Sequence, residues 1–502
     1  MHTPTWREYH ESTKHSVQSV AASRHTLDWA NRPDPFRHYE GTPVLDLPAD
    51  PPSPENSMIA LLEGRIGNTA VETGPEFLSQ LLFYSAAISA SKLSPSGERY
   101  ALRVNPSSGN LHPTEFHLFT RGLKDWPDGL YHYRPSSHMA EQRARGDLLG
   151  DLLTKLASTS APIALVLTSI AWREAWKYQD RAYRYCLHDI GHVWQALTLA
   201  ARAIGCDIVA AGHFPDDEIS QLCKLHHDEW PMLILELDGA SIPLREPDGA
   251  KPEWFGGTAN RLSRNETTYP LLDHMHAATK LGRQPAQDRP AGTARIWRES
   301  GLHGGPPFGK VVRARRSALD FQGGGRSMSL AQLSTILSCA SRPLSADFSG
   351  KRFIRLYLYI HRVDELDPGV YRHEPDSDPD RQPRLERIRL GDQRVAAAGL
   401  SLRQELAGNA CVAFSLIGDL ASATHIYGDR GYRYVHFEAG AIGQTLYLAA
   451  EALGLGATGI GAFFDDEVNR YLCLDSPERQ VVYHFAIGHP VPDPRLAPPQ
   501  TL

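Results

Sequence analysis

The chain has 502 residues, 41% hydrophobic and 22% charged, enough for two or three domains with cores of their own. Its 52 Lys and Arg against 58 Asp and Glu leave a formal charge of −6, which argues against a nucleic-acid role built on a basic face. No apolar run is long enough to span a bilayer, Met1 to His15 lacks the apolar core of a signal peptide, and six scattered Cys form neither a disulfide framework nor a zinc ribbon, so a cytoplasmic protein with no membrane contact is expected.

Residues 1–70 are rich in Pro, His and polar groups without a sustained period, and read as an arm that wraps. A first domain is expected over 71–240. Phe77, Leu81, Leu82 and Phe83 predict a helix from Glu76 to Ala90. Thr114 to Thr120 alternates like a strand, Ala161 to Thr168 is a continuous apolar strand, Ala182 to Ile204 a long buried helix, and Met232 to Leu237 a closing strand. Residues 241–308 carry many Pro, Gly and charged residues and read as a linker, with room for a short helix at Tyr269 to Leu281. The second domain, 309–502, repeats the order. Its helix is Leu330 to Ala340, followed by strands Arg355 to His361 and Ala410 to Ile417, the long helix Tyr432 to Leu453, and strand Val481 to Ile487.

The repetition is explicit. Sliding the sequence by 249 lays Tyr178–Leu225 on Tyr427–Leu474 without a gap. Tyr183-Arg184-Tyr185 matches Tyr432-Arg433-Tyr434, and Gly191 and Gln195 match Gly440 and Gln444. Both copies close on Asp-Asp-Glu, at Asp216 to Glu218 and Asp465 to Glu467, read as helix starts where carboxylates suit the dipole. A duplication this wide means two whole domains fused, not a solenoid. Mostly antiparallel strands with long packed helices give an α+β fold, and the two copies are expected to pair about a pseudo-two-fold axis, as a monomeric pseudo-dimer.

The copies differ where chemistry is possible. Copy two opens with Arg313-Ala-Arg315-Arg316-Ser317, two cations and a hydroxyl suited to a phosphate, where copy one reads Glu63-Gly64-Arg65. Copy one has Arg103-Val-Asn-Pro106-Ser107-Ser108-Gly109-Asn110, a turn offering backbone donors, hydroxyls and an amide, where copy two has Arg342 to Asp347. Copy two has Gly456-Ala-Thr-Gly459-Ile460-Gly461, which lets backbone approach a flat ligand, against Asp207 to Gly212. Taken alone, the first two motifs read better as a basic turn and a strand-entry turn, and the glycine-rich one equally well as a helix cap. Their division over two pseudo-symmetric halves is what points to one shared site. His188 and His192 have metal-ligand spacing, but Asp189 stands where a zinc peptidase needs Glu and copy two does not keep the pair, so no metal site is expected.

With these motifs, and with Tyr9-His10-Glu-Ser-Thr13-Lys14-His15, Leu27 to Pro33, Lys177-Tyr178 and Asp189-Ile-Gly191-His192, the chain resembles the SagB/ThcOx-type dehydrogenases of the nitroreductase-like flavoprotein superfamily, in tandem form, over nearly its whole length. The resemblance implies two fused nitroreductase-like domains and one FMN site drawn from both halves. Arg315, Arg316 and Ser317 would hold phosphate and ribityl oxygens. Gly459, Ile460 and Gly461 would lie along the ring, with Pro106, Ser107, Ser108 and Asn110 closing it from the first half. Gln404, in the helix before the Ala410 strand, matches a ring-contacting amide, and Arg495 would reach the phosphate. Leu319 stands where the family carries a further Arg.

Lys177 and Tyr178 match a catalytic pair of azoline-oxidising members; copy two has Ile426-Tyr427. Dehydrogenation takes a proton from one atom while hydride leaves its neighbour, and two adjacent groups with free pKa values near ~10 can serve once partly desolvated. The implied activity is FMN-dependent oxidation of a small-molecule or peptide substrate, such as a peptide azoline to an azole, with a cyclodehydratase as partner. Two other readings stay open: a stand-alone NAD(P)H-dependent nitro or quinone reductase, and a scaffold subunit of a peptide-modifying complex.

Overall fold

In the computed structural model, residues 5–67, 71–94, 97–156, 158, 161–282, 304–348, 350–374, 384–474 and 478–498 are described. Two antiparallel sheets carry the duplication. In the first, the strand order is Met139–Arg145, Gly129–Arg134, Thr114–Thr120, Ile163–Ile170, Glu229–Asp238, Asp207–Ala211. In the second it is Arg384–Leu390, Gly369–Glu374, Ile354–Ile360, Val412–Asp419, Arg479–Gly488, Gly456–Ile460, the same order element for element. The fold is α+β, with two domains of one topology.

The two long helices, Ala182–Ala203 and Gly431–Ala452, are 22 residues each and pack on one another as the centre of the molecule. They cross at glycine on both sides. A Cβ on Gly191 would lie 2.2 Å from the Phe437 carbonyl oxygen, and one on Gly440 2.1 Å from that of His188. Glycine inside a helix costs about 0.5–1 kcal/mol relative to Ala, and the close approach of two buried helices offsets it here.

Most expected elements appear within a residue or two, and one does not. The helix expected from Glu76 to Ala90 runs from Gly74 to Phe83, capped by Thr73 with Pro75 in its first turn. After Phe83 the alternation Ile88-Ser-Ala-Ser91 becomes a strand, Ile88–Leu93, paired with Arg99–Arg103 and with Leu496–Ala497 from the tail. A two-residue period wins because this segment finds strand partners on both sides, one of them more than 400 residues away.

The segment expected as a linker also does more than connect. Glu253–Trp254 and, from the arm, Val44–Asp46 both pair with the edge strand Met139–Arg145. Its helix Pro270–Ala278 is the counterpart of the arm helix Trp6–Ser12. Each of these helices ends in His-x-x-Thr-Lys, at His10 to Lys14 and at His276 to Lys280. Thr13 Oγ1 accepts from Arg184 at 2.8 and 3.1 Å, and Thr279 Oγ1 accepts from Arg433 at 2.8 Å. Arg181 and Arg184 bind Asp465 of the other half, at 3.0 and 2.8 Å; Arg430 and Arg433 bind Asp216, at 2.6 and 2.9 Å. Both Asp residues do start helices, as expected from sequence, but their main role is to clasp the halves together. Burial alone would raise these carboxyls; the paired guanidiniums outweigh it and hold each below the usual Asp range.

Candidate functional site

A cavity of about 370 Å³ opens between the halves, within the range of small-molecule sites. Pro106, Ser107, Ser108, Gly109, Asn110 and Tyr178 line it from the first half; Arg315, Arg316, Ser317, Gln404, Gly459, Ile460 and Gly461 line it from the second.

Each wall has a local cause. On the first, Gly109, Asn110 and His112 all take positive φ, so the chain folds back immediately after the strand Arg99–Arg103. Asp189 of the first long helix pins this turn, accepting from Ser108 N at 3.1 Å and Ser108 Oγ at 3.1 Å. Burial pushes the Asp189 carboxyl up to about 7, against the pull of its bonds from Ser107 and Ser108. Asn110 Nδ2 is held by the Ala101 carbonyl at 2.9 Å.

On the second wall, the helix Phe308–Ala314 ends at Arg315, and a parallel bridge from Ser317 to Ala457 sets Ser317 beside the glycine-rich strand. Tyr447 joins them: its hydroxyl accepts from Gly459 N at 2.8 Å and shares a 2.9 Å bond with Ser317 Oγ. Arg315 is 3% exposed. Its Nε donates to the Val104 carbonyl at 3.0 Å, while Nη1 has no partner among the described residues. Burial lowers the pKa of Arg315. Arg316 is lowered to about 10, by burial and then by repulsion from Arg315 and Arg313, which leaves it cationic at neutral pH. The glycines are required: a Cβ on Gly459 would lie 2.0 Å from Tyr483 Oη, and one on Gly461 2.4 Å from the Tyr185 ring.

Lys177 and Tyr178 end the helix Ala171–Tyr178 and converge on the turn. A Cβ on Gly109 would lie 2.8 Å from Tyr178 Oη and 3.2 Å from Lys177 Nζ. Burial lowers the Lys177 pKa and raises that of Tyr178 well above its usual value. Two expected residues sit differently. Gln404 lies in a turn between Arg394–Leu400 and Leu406–Asn409, not in a helix; Leu402 and Arg403 before it have positive φ. Arg495 does not line the cavity; it is paired with Asp493 at 2.8 Å. The same carboxylate holds Lys92 at 2.9 Å, and Lys92 does line the cavity.

Sequence reasoning missed Lys92 and Tyr100, which arrive on the hairpin Ile88–Leu93 and Arg99–Arg103, whose first residues it read as the end of a helix. It also missed Tyr185, His192, Tyr447 and Tyr483, which line the cavity; the Tyr185 hydroxyl donates to the Gly461 carbonyl, and His192 bonds Gln444 and Tyr483. Polar aromatics inside otherwise apolar runs were the available signal.

The residues suit a flavin mononucleotide. The unpartnered Nη1 of buried Arg315 beside a second Arg and a hydroxyl fits a phosphate, and a glycine-lined wall fits a flat ring.

The pseudo-symmetric place is closed. Phe348, from the segment that answers the first half's turn, stacks on Tyr434 at 4.2 Å, and Trp194, the counterpart of Gly443, lies 5.8 Å from Phe348. The two walls bond to each other: Ala210 N donates to the Ser345 carbonyl and Asp347 N to the Ala210 carbonyl, both at 2.9 Å. Gly212 N donates to Asp347 Oδ1 at 2.8 Å. A cavity of about 170 Å³ remains beside the plug.

A protein-family profile described as the nitroreductase family matches residues 85–238 and 312–489. The nitroreductase-like protein MJ1384 of Methanocaldococcus jannaschii is 33% identical over 121 residues, 24% of this chain; the match spans 58% of that relative's length. A crystal structure of a nitroreductase-like protein from Anabaena variabilis is 27% identical, covers 98% of this chain and 100% of its own, and superposes with a TM-score of 0.77. The E. coli microcin synthetase complex is 20% identical over 47% of this chain and 87% of its own, with a TM-score of 0.29, too low to bear on function. With one profile matching both halves at topologically equivalent places, the chain belongs to the nitroreductase family.

Proposed function

We propose that the cavity binds one FMN per chain and that the protein is an FMN-dependent oxidoreductase of the SagB/ThcOx type, dehydrogenating a substrate such as a peptide azoline to an azole. The observation that carries this is the assembly of complementary parts from both halves around one open cavity, while the equivalent place is plugged. Arg315, Arg316 and Ser317 hold the phosphate end, Gly459 to Gly461 lie along the ring, and Pro106 to Asn110 with Gln404 complete the enclosure. Bound FMN supplies two-electron redox chemistry, with dioxygen as final acceptor. Lys177 and Tyr178, partly desolvated and side by side at the rim, take and hold the substrate proton. A cyclodehydratase that makes the azoline is the partner class this reading calls for.

Boiling the purified protein and chromatographing the supernatant should release FMN at close to one per chain. An adenine-containing flavin, no flavin, or a ratio near two would sink the reading. Azoline-bearing peptide incubated with the protein in air should lose two hydrogens, read by mass spectrometry. The second reading, nitro or quinone reduction by a nicotinamide, is favoured by the family itself. It predicts nicotinamide oxidation with a nitroarene and no change in the azoline peptide.

A further inference from the structure

The two sheets end differently. In the first, the edge strand Met139–Arg145 is covered twice by other parts of the chain. Val44, Leu45 and Asp46 pair with Glu141, Ala140 and Met139; Glu253 and Trp254 pair with Arg145 and Ala144. Backbone bonds make the contact, Gln142 N donating to the Pro43 carbonyl at 2.8 Å and Phe255 N to the Arg143 carbonyl at 3.0 Å. The second sheet ends on Arg384–Leu390, and among the described residues no strand pairs with its outer edge. Burial follows pairing: Ala140 to Ala144 are all buried, whereas every residue of Arg384–Leu390 except Leu385 is exposed. The two edges are otherwise alike. Both carry an irregularity at the same place, so that Gln142 answers Arg387, Glu141 answers Glu386 and Met139 answers Arg384. The irregularity does not stop strand addition, since the first edge takes one strand on each side of it.

We infer that the outer edge of Arg384–Leu390 is a docking site for an extended, carboxylate-bearing segment of another polypeptide, added to the sheet as a further antiparallel strand. Main-chain bonds would hold such a segment, as they hold Val44–Asp46 on the other sheet. Side chains set its chemistry. Arg384, Arg387 and Arg389 stand on this strand against one acid, Glu386, which Arg372 already holds at 2.5 Å. Arg389 lies over the Tyr471 ring, which leaves Arg384 and Arg387 for a partner. Arginines keep an edge from pairing with a basic strand and leave an acidic one acceptable. A segment in the register of Val44–Asp46 would set its acid opposite Arg384, where Asp46 lies opposite Met139. Leu390, 52% exposed, adds an apolar contact, so the fitting partner alternates apolar and acidic residues. A second copy of the chain fits poorly, because this strand paired with itself opposes like charges. The edge lies at the other end of the sheet from Gly456–Ile460, which lines the cavity, so the inference does not depend on the redox reading.

The test uses full-length protein as purified and a synthetic peptide of alternating Val and Glu, about seven residues long to match the strand. Backbone amide exchange, followed by mass spectrometry, should slow in 384–390 when the peptide is added and stay unchanged in 139–145. Methylating every backbone nitrogen of the peptide should weaken its binding by about tenfold or more, read by fluorescence anisotropy, because the donors to the edge are gone. The double variant Arg384→Glu, Arg387→Glu alters two exposed side chains. It should bind the Val/Glu peptide about tenfold more weakly and take a Val/Lys peptide instead, which also shows that the variant is folded. Unchanged exchange in 384–390, equal binding of the methylated peptide, or a variant that takes neither peptide would overturn the docking site. So would exchange in 384–390 that is already as slow as in 139–145 before any peptide is added, since the edge would then be covered by this chain or by a second copy.

Discussion

The two pseudo-symmetric places lie on either side of the same pair of crossed helices, and one is a cavity of about 370 Å³ while the other is plugged, with about 170 Å³ left beside the plug. The difference comes down to a few positions. Phe348 and Trp194 fill the closed pocket, where the first half's turn and Gly443 carry no such ring on the open side. In the open pocket the turn and the glycine-rich strand face each other across the gap. In the closed one they are joined by backbone hydrogen bonds through Ala210, Ser345 and Asp347. Arg316 and Ser317 correspond to Ile66 and Gly67, so the closed side also lacks the anion-binding groups. One topology occurs twice, and the place that is open on one side is filled by side chains on the other. The clasps that hold the halves together remained symmetric.

That contrast can be broken at graded cost. The largest effects should fall equally on both sides. Asp465→Asn and Asp216→Asn each strand two buried guanidiniums and should each cost about 3–5 kcal/mol in denaturant unfolding at neutral pH. Because these carboxyls are held below their ordinary value, their stabilisation is present above pH ~4 and lost as pH falls through the folded pKa. The gap between wild type and either variant should therefore close in acid and stay constant from about pH 5 to 8. A gap that widened in acid would contradict the clasp.

Phe348→Ala tests the plug. It should cost about 3–5 kcal/mol as a buried aromatic truncation, without raising flavin content above one per chain, since Ile66 and Gly67 stand on that side where Arg316 and Ser317 stand on the other. A second flavin would show that the plug alone decides.

Next come the asymmetric pairs. Lys177→Ala and Tyr178→Phe should each lower turnover by about 100-fold or more while flavin is retained; Tyr427→Phe should leave turnover intact. Equal losses at Tyr178 and Tyr427 would mean that the wrong half has been assigned to the chemistry.

The smallest effect should be Arg316→Ala. It loosens FMN by roughly 10- to 100-fold, the scale of one charge-assisted hydrogen bond, read by fluorescence titration of the apoprotein. Arg65→Ala, the other half's counterpart of Arg315, should leave the affinity unchanged.

Much of this was legible in the chain. The duplication, the α+β class, the long helices and the division of motifs between halves follow from residue identity and period, which local sequence states directly. The residues expected in the site line one cavity except Arg495 and Lys177, the latter lying beside the turn at Gly109. The second arm was legible too, as His-x-x-Thr-Lys at His276 to Lys280, but five spaced residues in a polar segment signal little until Thr279 is seen on Arg433.

What the sequence could not decide was whatever depends on a distant partner. Ile88–Leu93 is a strand because the tail returns to pair with it. Lys92 reaches the cavity because that strand exists, and Arg495 misses it because Asp493 lies closer. The sequence by itself determined that two copies of one fold exist and that Arg315 to Ser317, Pro106 to Asn110 and Gly459 to Gly461 are each present in one copy only. Only the tertiary structure decided that the other site is closed, because closure is made by side-chain volume and backbone bonds between segments more than 130 residues apart, and no local pattern encodes that contact.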